Sequence, residues 1–151
     1  MPNNQFKKGE LYSFITGKAS TAIARRLQKK FNTAGLSITI EQWSVLYQLW
    51  KQDGISQQEI SDVLGRDKTT IARVISIMER DKMITRSTNK KDNRGKLIYL
   101  TTKGRSIQQK AVAVSGQLYM KAIEGLKEPQ MKLAMRIMTA MTSNISKPSM
   151  P

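Results

Sequence analysis

The chain has 151 residues, with 26 Lys+Arg against 11 Asp+Glu, giving a formal net charge of +15 and a pI near 10.3. That length suits one domain, or one domain with appended helices, and can bury a real core. Cysteine and histidine are both absent, which excludes disulfides, thiolate chemistry, Cys/His zinc sites, a Ser-His-Asp triad and a histidine pH switch.

Residues 1–7 and 147–151 are expected to be flexible ends. The first helix is predicted from about Glu10 to Ala34, where Leu11, Phe14, Ile15, Ala19, Ala22, Ile23, Leu27 and Phe31 recur at three- and four-residue spacing. Gly35 is placed to end it in a left-handed conformation. Thr39-Ile40-Glu41-Gln42 fits a capping box, with Ile38 and Trp43 as its hydrophobic staple. Leu46, Leu49 and Trp50 continue that apolar face until Asp53-Gly54 breaks it. Ser56-Gln57-Gln58-Glu59 is a second box, stapled by Ile55 and Ile60, and Gly65 closes a helix of barely two turns.

A fourth helix starts on Asp67 as N-cap and runs to about Asp81. Ile71, Val74, Ile75 and Met78 form its buried stripe, and the opposite face presents Lys68, Thr69, Thr70, Arg73, Ser76 and Arg80. The period then changes to two: residues 83–87 and 96–101 read as strands joined by a polar loop. Helical period returns with Ile107, Ala111, Val114, Leu118 and Ala122 on one stripe and Val112, Tyr119 and Ile123 on another. Glu128-Pro129 opens a last helix, with Leu133, Ile137, Met141 and Ile145 along one side. The expected class is mainly α with a small β-hairpin wing, in the order ααααββαα. A winged helix-turn-helix core would occupy 39–101, and a helical dimerisation region 8–38 and 102–146.

The charge is uneven. Residues 1–38 hold seven basic residues and one acid, 39–62 one and four, 63–101 ten and four, and 102–151 eight and two. Such a balance favours a polyanion as partner. No uncharged apolar run approaches the ~18 residues of a membrane span, and the first residues contain no signal-peptide core. The expectation is a cytoplasmic protein without a membrane partner.

A helix N-terminus bearing short polar and long cationic side chains suits the major groove of double-stranded DNA. Lys68, Thr69, Thr70, Arg73 and Arg80 are the candidate contacts on the fourth helix, with Thr69, Thr70 and Arg73 placed to read bases and Lys68 to reach a phosphate. In the wing, Lys90, Lys91, Asp92, Arg94 and Lys96 are the candidates. Arg94 could enter a minor groove, and Asp92, two residues away on the same side, could hold it in place.

Residues 39–104 resemble the winged-helix core of the MarR family of bacterial transcriptional regulators. The matching strings are TIEQWSVLYQL, GISQQEISDVLGRDKTTIARVISIMERDKMITR and the wing DNRGKLIYLTTKG. Asp92-x-Arg94, Leu100-Thr101-x-x-Gly104 and Asp67-Lys68-Thr69-Thr70 are the most specific pieces. The resemblance implies a homodimer on pseudo-palindromic operator DNA, usually a repressor released by a small effector. One departure is Asp81-Lys82, where the family commonly has Lys-Gly. A left-handed Lys82 would cost about 1 kcal/mol. Without cysteine, the thiol-oxidation mode used by some members is unavailable, leaving organic effectors, a partner protein or none.

Apolar stripes on 10–34, 107–126 and 131–145 exceed what a winged core can cover, which points to subunit contact. Tyr12, Arg26, Tyr47 and Trp50 are candidate lining residues of a pocket for an aromatic anion, against the plainer reading of packing and surface residues. The alternative function is a winged-helix module that binds protein or RNA without operator specificity. Asp53, Glu59 and Asp62 are explained by capping and solvation, so no catalytic residue, cofactor or metal is expected.

Overall fold

The computed structural model describes residues 17–88 and 95–146. The helices are α1 (Lys18–Thr33), α2 (Ile40–Lys51), α3 (Gln57–Leu64), α4 (Lys68–Arg80), α5 (Thr102–Ala122) and α6 (Glu128–Ser146). The strands are β1 (Ile55–Ser56), β2 (Ile84–Thr88) and β3 (Lys96–Leu100).

Both capping boxes form. The Gln42 amide donates to Thr39 Oγ1 at 3.2 Å and the Thr39 amide to Gln42 Oε1 at 2.9 Å. The Glu59 amide donates to Ser56 Oγ at 3.2 Å and the Ser56 amide to Glu59 Oε2 at 2.7 Å. Their staples Ile38 with Trp43 and Ile55 with Ile60 are all buried, so each helix start is tied to the core by apolar contact as well as by its amides.

Two sequence expectations change. A single helix over 10–34 does not hold, because Gly17 has φ 80° and ψ 32° and stands as the N-cap of a helix beginning at Lys18. Apolar periodicity runs through a glycine unaltered, but the backbone need not. The wing, read as a hairpin, is part of a three-stranded antiparallel sheet in the order β1-β3-β2. Ile55 pairs with Ile98 and Ser56 with Leu97, while Ile84 pairs with Leu100 and Arg86 with Ile98.

Chain contacts divide into two compact units, residues 1–118 and 119–151. The core of the first is built on Phe31, Leu46, Leu49, Ile60, Ile75, Met78, Ile84 and Ile98, all fully buried. In the second, α6 has no buried residue, and Leu133, Ile137, Met138 and Ile145 are exposed.

The end of α4 is built as a Schellman turn. The Lys82 amide donates to the Glu79 carbonyl and the Met83 amide to the Met78 carbonyl, both at 2.9 Å, with Met78 and Met83 buried together. Lys82 takes φ 59° there, the only non-glycine residue with positive φ among the described residues. The start of α5 is latched onto this turn. Thr101 Oγ1 lies 2.6 Å from the Lys82 carbonyl and 3.0 Å from that of Met83, and it accepts from the Gly104 amide at 3.0 Å.

Candidate nucleic-acid interface

The surface centres on α4. Its N-cap Asp67 accepts from the Thr70 hydroxyl at 2.6 Å and from the Thr70 amide at 2.8 Å. These two bonds, the hydroxyl's above all, hold the Asp67 carboxyl below the usual carboxylate range. Asp67 therefore stays charged at the positive end of the helix dipole, which keeps the first turn wound. Ile71, Val74, Ile75 and Met78 are buried. On the far side Thr69, Arg73, Ser76 and Arg80 are exposed at spacings of four, three and four, which is one column at helical period. Lys68 is exposed in the first turn and Thr70 is half-buried at the edge of the column.

Such a column, with apolar residues anchoring its back, can lie in a groove of duplex DNA without disturbing the core. Arg73 faces no acid within ion-pair reach among the described residues, whereas Arg80 Nε lies 3.1 Å from Asp81 Oδ1. That pair is exposed, so a phosphate can displace the aspartate at little cost.

A groove of about 430 Å³ runs between α4 and the start of α2, lined by Thr39, Ser44, Arg66, Thr70, Arg73 and Ile77 among others. Arg66 is a cation that sequence reasoning did not single out. Its signal was its place, in the turn just before the Asp67 N-cap, where the Gly65 turn leaves its side chain exposed.

Arg86 is a second such residue. From β2 its Nε lies 3.3 Å from Glu79 Oε2 and its Nη2 3.4 Å from Ser76 Oγ. It ties the wing to α4 and pairs with Glu79, an acid of that helix. Strand alternation alone could not show this, because the partner lies on another element.

Of the predicted wing contacts, Lys90, Lys91, Asp92 and Arg94 lie outside the described residues. Lys96 is exposed at the start of β3, opposite Thr88. Of the predicted effector residues, Tyr12 is also outside them, and Arg26 is exposed on α1. Tyr47 and Trp50 end a row of aromatic contacts that begins at buried Phe31, with successive centroids 5.8, 5.7 and 5.5 Å apart through Trp43. Trp50 is 53% exposed and lines a depression of about 350 Å³ with Arg105, Gln108, Gln109 and Val112. Arg26 and Tyr47 do not line that depression.

Among the described residues there is no cluster of three or more acidic side chains able to hold a metal, and no helix long and apolar enough to cross a membrane.

Residues 38–96 match the model of the MarR family. The chain is 29% identical over 99 residues to the organic hydroperoxide resistance transcriptional regulator of Bacillus subtilis (strain 168), covering 64% of this chain and 67% of that protein. Among solved structures it is similar to the transcriptional regulator SlyA, with a TM-score of 0.73 and 27% identity over 85% of this chain and 92% of that one. It is also similar to the S. aureus MepR-DNA complex, with a TM-score of 0.74 and 25% identity over 95% of this chain and 100% of that one.

Proposed function

We propose that this chain is a transcriptional regulator that binds double-stranded DNA by inserting α4 into the major groove, a reading supported by the match of residues 38–96 to the MarR family model. The observation that carries the reading is the exposed column Thr69–Arg73–Ser76–Arg80, backed by a fully apolar stripe. Threonine methyl groups can touch thymine, and a guanidinium can bond a guanine edge with both nitrogens. The relatives are regulators, and one similar structure is a DNA complex. Both support a non-enzymatic role.

In this reading the protein acts as a homodimer on a pseudo-palindromic operator. One winged helix offers little surface for tight, specific binding, whereas a two-fold pair reads two half-sites about one helical turn apart. The uncovered apolar side chains of α6 supply a candidate subunit contact. Repression would follow from occupancy of a promoter. Release by a small aromatic or anionic effector is consistent with the Trp50–Arg105 depression. A peroxide signal read through a thiol is excluded, since the chain has no cysteine. The cationic, threonine-bearing face of α4 favours DNA over an apolar protein ligand.

The test is selection of bound fragments from a genomic library, followed by titration of the selected site at several salt concentrations. A selected, two-fold-related site with affinity falling steeply in salt is expected. Equal affinity for every duplex would sink the claim of sequence specificity.

A further inference from the structure

Helix α1 carries Lys18, Arg25, Arg26, Lys29 and Lys30 and no acid at all. None of these five cations has an ion-pair partner among the described residues, and all except half-buried Lys30 are exposed. Lys18, Arg25 and Lys29 fall within one narrow sector of the helix, opposite buried Leu27 and Phe31. From Lys18 to Lys29 the column extends roughly 16 Å at 1.5 Å per residue.

Three observations narrow the partner. A two-fold subunit contact would set this face against its own copy or against a chain with few acids, and like charges repel. A membrane-surface helix needs an apolar face to insert, but Leu27 and Phe31 are 2% and 0% exposed and belong to the core. The C-terminal end of α1 leads directly to the groove beside α4: Gln28 Nε2 donates to the Ile38 carbonyl at 2.9 Å, and Thr39 lines that groove with Thr70 and Arg73.

We propose that the outer face of α1, through Lys18, Arg25 and Lys29, is a second DNA-backbone surface that engages phosphates flanking the base pairs read by α4. The inference rests on the DNA-binding reading above. It adds affinity without sequence information, as phosphate contacts do. It also explains why so much of the positive charge lies outside the winged core.

The experiment compares two duplexes, one trimmed to the selected site and one extended by about one helical turn, roughly 10 base pairs, on each side. Three proteins are titrated across salt: wild type, Arg25→Gln with Lys29→Gln, and a control of equal net charge, Lys51→Gln with Lys110→Gln. Wild type is expected to bind the extended duplex more tightly and with the steeper salt slope. The α1 variant should lose about tenfold on the extended duplex, with its slope reduced by nearly two, and stay within about twofold on the trimmed one. The control should keep the length dependence. If the α1 and control variants weaken both duplexes alike, the effect is one of net charge and the proposal fails. It fails equally if duplex length makes no difference, and anionic phospholipid vesicles that then bind wild type and not the α1 variant would assign the face to a membrane surface. Absence of any duplex binding by wild type at low salt would instead overturn the DNA-binding reading itself.

Discussion

The hydroxyl of Thr101 lies 2.6 Å from the carbonyl oxygen of Lys82, so the first turn of α5 hangs on the turn that ends α4. Thr101 Oγ1 also accepts from the Gly104 amide, which makes Thr101 both a latch and the N-terminal cap of α5. Lys103 Nζ adds a bond to the Asp81 carbonyl at 2.8 Å. The turn that ends α4 is thereby tied to the first turn of α5.

Thr101→Val keeps the shape and removes both functions of the hydroxyl. It is expected to lower stability by about 1–2 kcal/mol, with Thr101→Ser recovering most of the loss. Gly104→Ala should be worse, at roughly 3 kcal/mol or more, because a Cβ there collides with the Met83 carbonyl oxygen, a backbone atom that cannot turn aside. Urea denaturation measures both; an unchanged midpoint for Thr101→Val would remove the latch from this account.

Lys82→Gly should stabilise. Lysine at φ 59° pays a steric cost of about 1–2 kcal/mol, from which glycine's extra freedom in the unfolded chain subtracts about 0.5–1 kcal/mol. The net gain is expected to be about 0.5–1 kcal/mol, read as a higher urea midpoint at constant slope. The exposed column of α4 is untouched, so the DNA affinity proposed for it should stay within about twofold.

Arg73→Ala is expected to cost about 1–3 kcal/mol on the selected site and to relax preference at one base position. Lys68→Ala should weaken all sequences alike and lower the salt slope by about one. Competition with single-base operator variants separates the two. Identical specificity profiles would place Arg73 on the backbone rather than on a base.

Stability should fall as the solution is acidified through the carboxylate range. Glu59 is held below its ordinary value by the Ser56 hydroxyl first and the Ser56 amide second, and Asp67 by the Thr70 hydroxyl and then its amide. A folded-state pKa below the unfolded one gives stabilisation that is present above the unfolded value and lost as pH drops through the folded value. The decline therefore begins below about pH 4.5. Both groups are at the surface, so solvent screening keeps the effect small. Glu59→Gln combined with Asp67→Asn should flatten the slope of the urea midpoint between about pH 5 and pH 3; an unaltered slope would assign the acid sensitivity to other carboxylates.

What the sequence determined by itself was everything governed by neighbours along the chain. The boxes at Thr39–Gln42 and Ser56–Glu59, the Asp67 cap and the stripe Ile71–Val74–Ile75–Met78 all appear as read. Each depends on hydrogen bonds or side-chain spacing within four residues, and so does the exposure of Thr69 and Arg73. What only the tertiary structure decided depends on partners far away in sequence. Two residues, Ile55 and Ser56, become a strand only because β3 lies beside them. Arg86 becomes a brace of α4 through Glu79 and Ser76 on another element. Lys82 accepts its strained backbone because Met78, Met83 and Thr101 hold both sides of the turn. Trp50 continues an apolar pattern yet stays half in solvent, at the depression it shares with Arg105 and Val112 of α5. Local hydrogen bonding is encoded residue by residue, whereas these outcomes depend on which distant surfaces meet, and that is settled only when the core closes.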